Sequence, residues 1–301
     1  MKRMRIPLLI AFGIALIGIV IGSFVDLSLS QAIASRSNMF GVTVSTLGPT
    51  IGFSGLCIVG GGLLAIALQK KYPLWANILF YVAAAGCYGV SVYYAGKEFF
   101  NSHGFTNAAP IWVGYLIALV PLGAAVFLGY KMFKNTDHPY AWIILAIMGG
   151  VAFLALVPGV TILKEIMHRP RFRAVVDYPG IDFHAWWEPC KDYKDLMAAY
   201  NLLSEEFKSY PSGHTTEASI LLIVMTFMPL LNKKLEKYQL YCFFGAYAFV
   251  WLIAFARILA AAHFLSDVST GMALTLFFTL IANEVTIRVK KLQPVEETAQ
   301  E

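Results

Sequence analysis

Apolar positions along this chain fall into long unbroken runs, not into the alternation of a half-buried strand or the single stripe of a surface helix. Charge-poor stretches close to the ~20 residues that carry a helix across a bilayer core recur at Ile6–Phe24, Pro49–Leu68, Pro73–Ala95, Pro110–Tyr130, Ala141–Leu163, Thr215–Leu231, Leu240–Ala262 and Phe264–Ile287. The pattern predicts an all-α fold, a polytopic membrane bundle of about eight transmembrane helices. Pro49 and Pro73 stand near helix starts, where a missing N–H is harmless. Pro121, Pro158 and Pro229 fall inside spans and are expected to kink or end them. The run from Ile6 exceeds the ~7–15 residues of a cleavable signal core, so it reads as an uncleaved first span.

Composition strengthens this picture. Hydrophobic residues make up 58% of the 301 and charged residues 14%, against roughly 25% charged in soluble domains. Mean hydropathy is +0.65. So little polar surface implies that lipid covers the bundle, which excludes a cytosolic enzyme, a disordered chain and a disulfide-stapled scaffold. Cys57, Cys87, Cys190 and Cys242 have no close spacing, so they read as small apolar residues and no zinc site is expected. No basic run interleaved with aromatics points to nucleic acid. Gly18 and Gly22 fit a helix-packing pair, a weak signal in a glycine-rich chain. Oligomeric state has no signature here.

Charge placement then sets an expected topology. With the N-terminus in the cytoplasm, thirteen of the 23 basic residues fall on the inner side, among them Lys2, Arg3, Lys70, Lys131, Lys233 and Lys291. The first two outer loops hold only Arg36 and Lys97, yet the connection from Lys164 to Tyr210 holds seven basic residues, and Arg257 lies near the same face. Cations kept where topology disfavours them suggest an anion-binding role. The expected organisation is an accessory transmembrane hairpin over 1–72, a membrane core over 73–287 with an extracytoplasmic loop at 164–210, and a polar cytoplasmic tail at 288–301. The protein is expected in the cell membrane, with both termini cytoplasmic and the active site outside.

Three clusters fall at that outer end: Lys164 to Arg173, Tyr210-Pro-Ser-Gly-His-Thr215, and Arg257 with His263 and Asp267. Lys164, Arg171 and Arg257 could clamp phosphate, arginine's fork matching its oxygens. Ser212 reads as the N-cap of the sixth span, whose free N–H groups favour an anion, and Gly213 lets the backbone approach closely. His263 and Asp267 are four apart and share a helix face. The carboxylate would hold one imidazole nitrogen and leave the other free to attack phosphorus, while His214 protonates the departing oxygen.

These residues resemble a known family. Lys-x6-Arg at Lys164/Arg171, Pro-Ser-Gly-His at 211–214 and Arg-x5-His-x3-Asp at Arg257/His263/Asp267 are similar to the three signature motifs of the type 2 phosphatidic acid phosphatases, lipid phosphate phosphatases that share an active site with vanadium-dependent haloperoxidases. The resemblance implies that His263 forms a phosphohistidine, that Asp267 orients it, and that His214 is the general acid. Lys164, Arg171, Ser212, Gly213 and Arg257 would bind the phosphate oxygens, with no metal and no cofactor. It also implies a six-helix core, so the first two spans look like an addition. Phe172 stands where the family has proline and Ala256 where it has serine, which bears on substrate preference more than on activity.

The expected partners are the bilayer and a lipid phosphate substrate: phosphatidate, phosphatidylglycerol phosphate or polyprenyl diphosphate. A phosphotransferase using the same phosphohistidine fits the motifs equally. A transporter of anions fits less well, because its site belongs near the midplane. Other candidates have blander readings. His168 could line the site; His103, His138 and His184 read as loop residues. Trp186 and Trp187, with Tyr178 and Phe183, fit an interfacial belt or a lid. Glu217 fits the first turn of the sixth span and could tune His214.

Overall fold

The computed structural model describes residues 1–101, 111–289 and 292; His103 and most of the expected tail lie outside them. Among the described residues all regular elements are helical, and eight helices are long and apolar enough to cross a membrane. They are α1 (Lys2–Ile33), α2 (Met39–Leu68), α3 (Leu74–Asn101), α4 (Ile111–Phe133), α5 (Ala141–Leu154, continued by a π-helical stretch, Ala155–Ile162, and the short α6, Leu163–Met167), and then three more that follow the loop after α6. Between α6 and α9 (Gly213–Leu231) the chain forms α7 (Phe172–Asp177) and α8 (Tyr193–Tyr200). α10 (Gln239–Leu259) and α11 (Leu265–Arg288) complete the bundle.

Two helices start or end well beyond the apolar runs. α2 begins at Met39, ten residues before Pro49, with Asn38 as its N-cap accepting from the Gly41 N–H at 2.8 Å. Met39 and Phe40 stay exposed, whereas Gly41, Val42, Ser45 and Thr46 are buried, with Gly41 letting the helix approach Ala256 and Ala260 at the end of α10. α1 runs on past Phe24 to Ile33 and carries the buried Asp26 into the bundle. Of the three interior prolines, Pro158 coincides with the π-helical widening, Pro229 lies in the last turn of α9, and Pro121 lies inside a continuous α4.

Packing separates the first two helices. α1 lies on α11 and α10, whereas α2 sits among α3, α4, α9 and α10. The two helices of the hairpin expected over 1–72 thus make their main contacts with different neighbours. Gly18 and Gly22 face Ser269 and Ser266 of α11, so this glycine pair makes the α1–α11 contact, where a side chain would collide. Gly61 and Gly129 bring α2 and α4 to backbone contact in the same way. Small residues at such crossings are what association within lipid requires.

Loop contacts define the two ends of the bundle. At one end Arg3 bonds Glu236, Gln69 bonds the Lys134 carbonyl and Asn232 bonds the Met132 carbonyl. At the other, Ser35 N–H donates to Leu259, Arg173 N–H to Ala261 and Ser212 N–H to Asp267. That second end gathers all three motif clusters.

Candidate active site

The short α10–α11 turn decides the position of His263. Ala261 takes a left-handed backbone (φ 55°), and the N–H groups of Ala262 and His263 both return to the Arg257 carbonyl. His263 is thereby buried beneath the loop that leads to α9. Its Nδ1 lies 2.7 Å from the Ser209 carbonyl and 3.6 Å from Asp267 Oδ2. A carbonyl only accepts, so Nδ1 carries the proton and Nε2 keeps its lone pair. The expected Asp267 contact is thus the longer of two, and a main-chain oxygen is the closer orienting group. Burial holds the imidazole well below its ordinary range, because a charged ring loses its hydration there.

Asp267 is part of a fully buried network. Its carboxylate accepts from Arg169 Nη1 at 2.5 Å, from Ser209 Oγ at 2.5 Å and from the Phe264 N–H at 2.8 Å. Arg169 in turn meets Asp26 at 2.9 Å, donates to the His184 carbonyl at 2.8 Å and to Ser266 Oγ at 2.8 Å, and lies over the Phe264 ring at 4.2 Å. Asp26 also accepts from the Ser266 N–H and hydroxyl. Arg169 belongs to the first basic cluster, but its guanidinium ties three segments together behind the histidine.

The other motif residues border one cavity of about 780 Å3: Lys164, Arg171, Gly213, His214, Arg257 and His263. Ser212 does not line it. Its hydroxyl is buried and caps α9, accepting from Thr215 Oγ1 at 3.1 Å and from the Thr215 N–H at 3.4 Å. Gly213 does border the cavity, and a Cβ there would point to within 3.7 Å of Lys164 Nζ. Arg171 is steadied by the Glu205 carbonyl at 2.6 Å, and Arg173 is neutralised by both oxygens of Glu206. Arg257 Nε is buried with no hydrogen-bond partner among the described residues. An orphaned buried donor of this kind is costly unless something accepts from it, and a phosphate oxygen would.

Glu98, in the last turns of α3, was not singled out by the motifs, yet it lies 3.3 Å from His214 Nε2 and borders the same cavity. The apolar run of the third span ends at Ala95, and Glu98 lies beyond it next to Lys97 on the continuation of α3, so no local pattern set it apart. Glu217 also borders the cavity, with Oε2 unbonded among the described residues. His168 does not: it stacks on Tyr193 at 3.6 Å. Trp186 donates to Ser23 at 2.9 Å and stacks on Tyr210, while Trp187 stays half exposed. A single His–Cys–Asp group, His184, Cys190 and Asp192, could hold a cation among the described residues, and it lies on the loop away from this cavity.

Fold and cavity together define a multi-pass helical membrane protein with a cationic, histidine-bearing site at one end of the bundle. A family model, that of the PAP2 superfamily, matches residues 139–290, half of the chain, and the protein belongs to that superfamily. Its members are phosphatases, so the chain is a phosphatase acting on phosphate esters. No individual curated protein and no solved structure matches the chain. The match begins just before α5, and α1 to α4 precede it.

Proposed function

We propose that the protein removes the terminal phosphate of a lipid phosphate or diphosphate at the extracytoplasmic membrane face, through a phosphohistidine on His263 and without a metal. One observation carries this reading: two histidines of different surroundings and three cations border a single cavity. His263 Nε2 attacks phosphorus, and the P–N bond forms as the P–O bond to the lipid breaks. The imidazolium of His214, held by Glu98, gives its proton to the departing oxygen. Water then attacks the phosphohistidine and passes its proton to His214, releasing inorganic phosphate. Lys164, Arg171 and Arg257 supply the positive charge that a metal would otherwise bring, and the α9 start adds backbone donors at Gly213. Asp267, Arg169 and Ser209 hold His263 in its nucleophilic tautomer.

The outer orientation rests on the basic residues at the opposite end of the bundle. The experiment is phosphate release from phosphatidate, phosphatidylglycerol phosphate and polyprenyl diphosphate by the purified protein in detergent with EDTA. Release that survives EDTA and disappears in His263→Ala supports the reading. Release that persists in His263→Ala overturns it.

A further inference from the structure

The cavity has two chemistries along its length. Its outer end carries the cations and histidines; below them its walls are apolar. α3 contributes Gly86, Val90 and then Lys97, and the continuous segment from α5 through the π-helical stretch to α6 contributes Gly149, Phe153 and then Lys164. The cavity-facing positions recur every three or four residues on both segments, so each presents one face. Phe53 and Leu56 of α2 form the floor. At about 1.5 Å per residue, Gly86 lies ~17 Å from Lys97 and Gly149 ~22 Å from Lys164. Half of a bilayer's hydrocarbon core is ~15 Å, so the cleft reaches from the phosphate site to the membrane middle.

The cleft is also open to lipid. Among the described residues α3 and α5 both pack on α2 but not closely on each other. Val90 and Phe153 are exposed, and a Cβ added at Gly86 or Gly149 would meet nothing within 4 Å.

We propose that this cleft holds a hydrocarbon chain of the phosphate ester, with the α2–α3 side of its wall supplied by helices that precede the superfamily match. The inference rests on the lipid phosphatase reading above, and continuity with the cationic end names the occupant: an amphiphile whose phosphate sits among Lys164, Arg171 and Arg257. A chain lying between α3 and α5 enters sideways from its own leaflet.

The test is kcat/KM for monoalkyl phosphates of increasing chain length, at fixed mole fraction in mixed micelles. For the wild type, kcat/KM rises with chain length and levels off once the cleft is filled. Gly149→Trp and Gly86→Trp, on facing walls, move that plateau to shorter chains and lower the long-to-short ratio at least about tenfold, the scale of lost methylene contacts in a pocket. Gly245→Trp, on the outer surface of α10 where a side chain meets nothing, leaves the ratio as it was. A flat wild-type profile, or an unchanged plateau in both cleft variants, overturns the cleft. Absence of phosphate release from every chain length instead overturns the lipid phosphatase reading. Should one tryptophan variant fail to fold, the other and the wild-type profile still decide.

Discussion

Arg169 and Asp26 lie 143 positions apart in the chain and meet at 2.9 Å with both side chains out of solvent. Through this contact α1 is fastened to the segment that supports His263, since the same guanidinium holds Asp267 at 2.5 Å. Removing the shared cation leaves two carboxylates buried without their partner. Arg169→Met should therefore destabilise the protein by about 3–5 kcal/mol. Thermal unfolding in detergent checks this, and Arg169→Met combined with Asp26→Asn should recover part of the loss. Additive losses would show that the two residues do not act together.

The His214–Glu98 contact at 3.3 Å fits a proton donor held by a carboxylate. His214→Ala should lower turnover of an alkyl phosphate about 10²–10⁴-fold. The loss should shrink sharply for p-nitrophenyl phosphate, whose leaving group needs no proton. Equal losses for the two substrates would remove His214 from that role.

Burial lowers the pKa of His263, which has a sign that can be read in a pH profile. A nucleophile with a lowered pKa stays unprotonated as pH falls through the ordinary histidine value of about 6.5. The acid limb of kcat/KM, which reports the free enzyme, should accordingly lie below that value. A limb at or above it would contradict the buried, carbonyl-bonded imidazole.

Arg257 Nε has no hydrogen-bond partner among the described residues although it is buried. Its contribution should then appear when phosphate arrives. Arg257→Gln should cost about 10- to 100-fold in kcat/KM, the range for charge-assisted hydrogen bonds. Steady-state kinetics on the purified variant decides the point, and a loss below threefold would place the phosphate elsewhere.

Two glycines near the site should respond in opposite ways. A Cβ at Gly271 would run into the Ser212 carbonyl and come within 2.9 Å of Thr216 Oγ1, so Gly271→Ala should destabilise by about 1–3 kcal/mol by forcing α9 and α11 apart. A Cβ at Gly213 meets Lys164 Nζ and Glu217 Oε1 only at 3.7 Å. Gly213→Ala should keep the melting temperature but raise KM, because the methyl occupies space facing Lys164. Melting curves and KM values for the pair separate the two effects.

The amino-acid sequence by itself determined the eight spans, the helical class and the set of chemically capable residues at one end. Those follow from local properties: apolar run length, the N-cap at Ser212, and motif spacing. It missed the starts of α2 and the end of α1, because small polar residues and Asp26 interrupt the apolar runs and only become buried against other helices. Tertiary structure alone decided that Arg169 turns inward to Asp26 and Asp267 while Arg171 faces the cavity, since two arginines on one short segment look alike until their neighbours are known. It also decided that Glu98 meets His214, and that α2 and α3 wall the apolar cleft. Pairings across about 100 residues and more depend on which helices pack together, and that is settled by the close-fitting glycines and the summed burial of whole faces, not by any local pattern.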